Sequence, residues 1–444
     1  MPRARVGTIA AMAEPYVCEQ MREDWNRRAR EDAKYYVAFG RHAQGDDEFF
    51  ATGKDLARGL ERELKWLPAG ANRRAWRALE IGCGLGRLML PLSRAFGEIH
   101  GVDVADEMVR QAREKLQHIP HAHVHLTAGA DLAAFADESF EFVYSYAVFQ
   151  HIPLREVVFE YLSEARRVLK TGGIFRFQVN GLPGPMLRYD TWSGVRISAA
   201  EIAEFAREHD FQLLALEGTR TQYLWVTLRK QPHGWFAEQA RRSAEMARIR
   251  RITNAHSSEP VAPSRGRFAV IALWLEGLPE DGDLNTLKAT VGGLEADLTY
   301  LGPPAHDLQQ LNVELPASVE TGLQPVRVFR LRKPLTPAAS VRVIPPGPLV
   351  PRVVAVTDGI DLLSGTRIVS RSVKVNIEEV AHPEQFEASV DGLPVTDLEH
   401  FCTDPRPPLH EVNFSLPGTL GAGAHQLEMR IGQRSFAPVP IEVV

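Results

Sequence analysis

The first half of the chain alternates between two spacings of apolar residues. Between Met21 and Phe39, Trp25, Ala29, Ala33 and Tyr36 recur about every four positions, which predicts a helix with one apolar stripe. Leu56, Leu60, Leu64 and Leu67 form a second stripe. A short apolar strand (Ala78, Leu79, Ile81) then runs into Gly82-Cys83-Gly84-Leu85-Gly86 and an apolar helix-like segment. The same alternation continues downstream. His100-Gly101-Val102-Asp103 reads as a strand, and Met108, Val109, Ala112 and Leu116 as the inner face of an amphipathic helix. His123–Leu126 and Phe140–Ser145 read as strands three and four. Leu154, Val157, Val158, Tyr161, Leu162, Ala165, Val168 and Leu169 trace a helix that Lys170-Thr171-Gly172-Gly173 should stop, a glycine supplying the left-handed cap. Ile174–Val179 is the fifth strand. Ser198-x-x-Glu201 is a capping box in front of Ile202 and Phe205, and Phe211–Leu216 with Gln222–Leu228 forms a closing antiparallel pair. Strands separated by helices predict a parallel sheet covered on both faces.

The second half has a different texture. Arg241 to Arg251 carries five arginines and one glutamate with no interleaved aromatics, and reads as a solvated linker helix. Ser257 to Arg267 is a proline- and serine-containing linker. Beyond it, short β-branched runs punctuated by glycine and proline replace helical periodicity, and they repeat. Ala289-Thr290-Val291-Gly292-Gly293-Leu294 matches Ala388-Ser389-Val390-Asp391-Gly392-Leu393. Leu311–Pro316 matches Val412–Pro417, and Val326-Arg327-Val328 matches Leu427-Glu428-Met429. An offset of about 100 residues is the length of one β-sandwich module. The chain thus divides into a loose leader (1–20), an α/β domain with an N-terminal helical cap (21–230), a linker helix and Pro/Ser linker (231–266), and two immunoglobulin-like sandwiches (267–346 and 347–444). The sandwiches resemble bacterial domains of the IPT type. No acid, histidine or thiol set recurs in both copies, so no chemistry is assigned to them.

Composition narrows the function. At 444 residues the chain holds two or three domains, and 44% apolar with 24% charged residues is globular usage. A net charge of −5 gives no basic field for nucleic acid, and no tight basic and aromatic surface argues for RNA. Three scattered cysteines (Cys18, Cys83, Cys402) suit a reducing compartment and have no metal-ligand spacing. His121, His123 and His125 would share one strand face but lack acidic or thiol partners, so no metal is assigned. No apolar run is long enough for a membrane span, and the expected location is the cytoplasm.

The chemistry gathers at the glycine turn. A dinucleotide-binding turn is G-x-G-x-x-G, with a helix N-terminus facing a pyrophosphate. Here the third glycine comes one residue early, and Glu80 precedes the turn, a poor neighbour for a pyrophosphate and a good one for a cation. Asp103 lies about 20 residues on, at the end of the next strand, where a carboxylate can accept hydrogen bonds from ribose hydroxyls. This pattern, with Ala128–Leu132, Asp137–Ser145 and HIPLREVVFEYLSEARRVLKTGGIFRF downstream, resembles class I S-adenosylmethionine-dependent methyltransferases over residues of about 20–230.

The resemblance implies a multidomain protein with a Rossmann-like methyltransferase domain, S-adenosylmethionine as cofactor and S-adenosylhomocysteine as product. It implies cofactor contacts at Glu80, Gly82, Cys83, Gly84, Gly86, Asp103, Val104 and Met108, with Ala130 and Asp131 near the adenine and Ser145 near the donor. His151 is the candidate base at the rim and Tyr146 its companion; Gln150, Tyr189 and Trp192 are candidate acceptor contacts. The acceptor is expected to offer oxygen or nitrogen on a small molecule or a glycan or lipid precursor. Ser145-Tyr146-Ala147-Val148 stands where amino methyltransferases of DNA or protein glutamine carry an N-P-P-Y-like tetrapeptide. Two rivals stay open: a non-catalytic cofactor-binding scaffold whose sandwiches mediate assembly, including homo-oligomers, or glycan binding; and a nicotinamide dehydrogenase, disfavoured by the glycine spacing.

Overall fold

The computed structural model describes residues 4–38, 44–68, 72–184, 189–239, 241, 246–347, 349–359, 365–380, 382–404 and 409–444. They divide into two compact units, one of Met1–Glu31 with Phe50–Pro345 and one of Asp32–Phe49 with Pro346–Val444. The division after Pro345 falls in the Pro345-Pro346-Gly347-Pro348 stretch.

The helices of the α/β region are α1 (Ala4–Ala38), α2 (Asp46–Ala51), α3 (Lys54–Glu61), α4 (Met89–Leu92), α5 (Asp106–Leu116), α6 (Arg155–Val168), α7 (Ala199–Glu208) and α8 (Trp235–Gln239). Its strands are β1 (Arg77–Ile81), β2 (Glu98–Asp103), β3 (Ala122–Leu126), β4 (Phe140–Ser145), β5 (Leu169–Val179), β6 (Phe211–Glu217) and β7 (Leu224–Lys230). They lie in the order β3-β2-β1-β4-β5-β7-β6, parallel except for β7, which is antiparallel to both neighbours. The four residues of the α5 stripe and the inner residues of α6 are all buried. Ser198 and Glu201 close the expected capping box on α7.

Three expectations change here. Residues 4–20, read as a loose leader, belong to α1, where Cys18 and Met21 are buried. The helix breaks at Asp32, whose carboxylate accepts the Tyr35 amide at 3.1 Å and so starts a second helical segment. The Gly172-Gly173 pair does not cap α6. That helix ends at Val168 because the chain turns directly into β5, and the glycines lie inside that strand beside a register shift.

The third concerns the arginine-rich segment. Residues 248–254 form a strand, β8 (Arg248–Asn254), rather than a linker helix. Eight more strands follow: β9 (Val261–Pro263), β10 (Val270–Glu276), β11 (Leu287–Val291), β12 (Leu294–Leu301), β13 (Leu308–Glu314), β14 (Gly322–Arg330), β15 (Lys333–Pro334) and β16 (Ala339–Ile344). Pairing with β10 gives β8 its ladder, and an edge position lets its arginines project into water, a usual protection for an edge strand. The second unit repeats the series: β17 (Arg352–Asp358), β18 (Arg367–Ile368), β19 (Ser372–Glu378), β20 (Phe386–Val390), β21 (Leu393–Pro394), β22 (Thr396–Asp404), β23 (Leu409–Ser415), β24 (Gly423–Ile431), β25 (Arg434–Ser435) and β26 (Val439–Val443). There, sheets β17-β19-β23-β22 and β18-β26-β24-β20-β21 enclose a core that includes Val375, Ile377, Phe414 and Leu427.

Strand β12 of the first copy does the work of β21 and β22 together. Its start pairs with β11 and its end with β13, so it passes from one layer to the other. That same end bridges from Tyr300 to Ala215 on β6, which joins the first β-domain to the α/β sheet.

Candidate functional site

The glycine turn sits at the C-terminal end of β1, the end of a parallel sheet where ligands bind. Gly82, Gly84 and Gly86 have φ of 71°, 50° and 77°. Side chains are excluded at two of them by space as well as by backbone. A Cβ on Gly82 would lie 2.4 Å from Val148 Cγ2, and one on Gly86 2.6 Å from Leu116 Cδ1. The amides of Gly82 and Cys83 both donate to the Val102 carbonyl, at 2.8 and 2.9 Å. Asp103 completes the frame: one carboxylate oxygen accepts the Gly84 amide at 2.9 Å and the other the Ala105 amide at 3.0 Å.

Two acids flank this cradle. Glu80 is buried and accepts a hydrogen bond from the Tyr144 hydroxyl at 3.0 Å. Burial pushes its carboxyl up to about 8, against the pull of Tyr144 and of Arg87. Burial likewise raises Asp103, although three backbone amides favour its charged form. The Cys83 thiol is buried and driven up by the same desolvation, so it is a packed residue and not a nucleophile.

Helix α1 roofs the start of α5 and the Thr191–Trp192 loop. Asn26 accepts the Glu107 amide at 2.9 Å and donates to Asp106 at 3.0 Å, capping α5, whose own N-cap residue is Ala105 and offers no side-chain acceptor. Arg28 donates to the carbonyl and hydroxyl of Thr191, and Thr191 donates to Asp24 at 2.6 Å. The Arg28 guanidinium lies 4.7 Å from the Trp25 ring centre and 5.3 Å from that of Trp192.

Below this roof lies His151, buried and not at the rim. Its Nδ1 donates to the Trp192 carbonyl at 2.6 Å, which leaves Nε2 to accept from Gln150 at 3.2 Å. Gln150 in turn accepts from Gln178, whose other amide atom accepts the Ala147 N–H. Ala147, a non-glycine at φ 55°, is held in that conformation by this chain of amides. Burial pulls His151 down to about 4, so it is neutral at pH 7 with the proton on Nδ1. Tyr146 stacks on Trp225 (5.4 Å, 9°), and the Arg87 guanidinium lies 5.7 Å from its centre.

Residues 79–177 match the family model described as a methyltransferase domain. A magnesium-protoporphyrin O-methyltransferase from Synechocystis is 30% identical over 83 residues, 18% of this chain and 36% of that protein. An S-adenosyl-L-methionine-dependent Diels-Alderase from Talaromyces variabilis is 38% identical over 81 residues, 18% of this chain and 26% of that protein. The chain therefore spans about a third of the length of these curated relatives or less. Among solved structures, geranyl diphosphate C-methyltransferase from Streptomyces coelicolor A3(2) has a TM-score of 0.36 at 14% identity, over 48% of this chain and 97% of that one.

S-adenosylmethionine, the cofactor that the resemblance implies, fits this cradle. Backbone with no room for side chains, and two acids whose carboxyls desolvation raises, suit a flat nucleoside joined to a cationic amino-acid tail. Val104 and Met108 line the start of α5, half-buried and buried. Two expected contacts are otherwise engaged. Ser145 is buried and donates to the Ile81 carbonyl at 2.9 Å, tying β4 to β1. Asp131 turns back on its own loop to accept the Ala133 amide at 3.0 Å; both it and Ala130 are half-buried. Tyr189 is half-buried and Trp192 38% exposed, so the loop carrying them faces solvent as well as the roof. His123 and His125 pack on His100, with centroids 4.9 and 5.4 Å away, while His121 bonds the Ser93 carbonyl. Among the described residues no His, Cys, Asp or Glu group is placed to hold a metal.

Arg87, Gln178 and the polar α1 residues Asp24, Asn26 and Arg28 carry no role in the sequence reading. Only Arg87 had a local signal, its place directly after the third glycine.

Proposed function

We propose that the chain is an S-adenosylmethionine-dependent methyltransferase acting on an oxygen or nitrogen of a small molecule or a glycan or lipid precursor. The observation that carries this reading is the glycine turn braced by Asp103, with Glu80 beneath it. When bound, the cofactor supplies a methyl group already activated by its positive sulfur, so the protein's task is chiefly alignment. Glu80 is placed to face the cationic tail and Asp103 the ribose. Helix α1 and the Trp192 loop exclude water from the reacting end. His151 holds that loop as a neutral positioning residue, with both ring nitrogens committed.

A second reading is supported by the Diels-Alderase relative: a domain of this type that keeps its cofactor without transferring a methyl group. Titration calorimetry with S-adenosylmethionine tests the shared premise. Because Glu80 is protonated below about 8 in the free protein, binding a cation should release its proton. Affinity is therefore expected to rise with pH, by up to about tenfold per unit below that value, and to level off above it. Glu80→Gln should abolish the slope. No heat at any pH would remove both readings.

For His151 the expected result is an imidazole that stays neutral at pH 6 in the Nδ1–H form, seen by 15N NMR. Its proton uptake should occur near 4. The unfolded chain takes up that proton from about 6.5 downward, so this residue destabilises the fold progressively as pH falls through the window. A shift typical of imidazolium at pH 6 would overturn the positioning role.

A further inference from the structure

A cavity of about 680 Å³ lies between the loop leaving β5, the β6–β7 hairpin and β12 of the first β-domain. That volume is within the range of small-molecule sites. Its position is informative. β5 runs parallel to β1, β2 and β4, and β6, antiparallel to β7, runs the same way as β5. The cavity, reached from the residues just after β5 and β6, therefore opens at the same end of the sheet as the glycine turn.

Its polar groups are unevenly paired. Arg155 is matched by Glu201 and brings no spare charge. Arg196 is fixed through Nη1, which donates to the carbonyls of Pro183 and Gly184 at 2.9 and 3.1 Å, while its Nε is buried with no partner. That Nε is closed off from the cavity, but Arg196 has no ion pair among the described residues, so its charge is left for a ligand anion. Arg220 stands at the hairpin tip in the left-handed region (φ 65°), exposed, with no ion pair among the described residues. Leu216 and Leu298 supply an apolar wall, and Leu298 belongs to the β-domain.

Resting on the methyltransferase reading, we propose that this cavity receives the carboxylate or phosphate of an anionic acceptor between Arg196 and Arg220, with the first β-domain as one wall of the acceptor site. Two guanidinium groups lining one cavity, neither in an ion pair among the described residues, are a donor set that recognises such groups.

The test uses the full chain with 13C-labelled leucine methyls and three probes: phenyl phosphate, benzoate and phenol. Saturable shifts at Leu216 and Leu298 are expected with one or both anions and not with phenol; the comparison of phenyl phosphate with benzoate separates phosphate from carboxylate. Arg220→Ala, which removes an exposed side chain, should weaken anion binding about tenfold, with Arg220→Lys between. Arg196→Ala should do the same, and the Arg220 variants keep the test decisive if that protein does not fold. Absence of shifts at millimolar probe, equal binding of phenol, or no effect of Arg220→Ala would overturn the proposal. S-adenosylmethionine is titrated into the same samples. Cofactor binding without anion binding removes only the acceptor site. Anion binding without cofactor binding removes the methyltransferase reading and the acceptor assignment with it.

Discussion

Asp103→Ala is expected to weaken S-adenosylmethionine binding by about a hundredfold, or roughly 3 kcal/mol, measured by calorimetry beside the wild type. Two effects combine. The variant leaves the Gly84 and Ala105 amides without their acceptor, and those amides set the shape of the turn and the start of α5. It also removes the only carboxylate at the end of β2, where a ribose would meet the sheet. Asp103→Asn keeps one acceptor oxygen and should fall between, which separates framing from charge. A thermal melt close to wild type would show that the loss belongs to the site. Unchanged affinity in Asp103→Ala would sink the assignment of this turn as the cofactor cradle.

Asp283→Ala should be the most destabilising single change at the join between the α/β sheet and the first β-domain. Asp283 is fully buried, and its carboxylate accepts the Leu213 amide of β6 at 2.5 Å and the Asn285 amide at 2.7 Å. Leu213 returns the contact by accepting the Leu284 amide at 3.0 Å, so the 280–286 loop extends the edge of β6. Leaving two buried amides unpaired costs about 2–4 kcal/mol, read as a lower midpoint in urea. The same residue sets a pH trend. Burial raises its carboxyl to about 7, so the folded state keeps a proton that the unfolded chain has lost from about 4 upward. Stability from this group therefore falls as pH rises through that window, by up to about 1.4 kcal/mol per unit. Asp283→Asn should flatten the slope relative to wild type; an unchanged slope would show that another group carries it.

What the two variants probe was unequally visible beforehand. Asp103 stands at the end of a short apolar run, a strand-and-turn distance from three glycines, and both features are local. Nothing around Asp283 marks it, because its partner Leu213 is 70 residues away and the contact exists only once two domains meet. The arginine-rich strand β8 shows an intermediate case. Charge density made it look like a solvated helix, yet Arg248–Asn254 stands about as far before β10 as Arg352–Asp358 stands before β19. The repeat carried the signal, and composition hid it.

The sequence by itself determined the alternation of strand and helix, the glycine cradle with its two acids, the capping box on α7 and the repeat of the β-domains. Each depends on side-chain period, on backbone sterics at single residues, or on chemistry within one turn of chain. Only the tertiary structure decided that Asn26 caps a helix 80 residues on, that His151 is buried and neutral beneath Trp192, and that β12 joins the first β-domain to the edge of the sheet. Burial and long-range hydrogen bonds are properties of the groups that folding brings together, and no local pattern in either partner specifies the other.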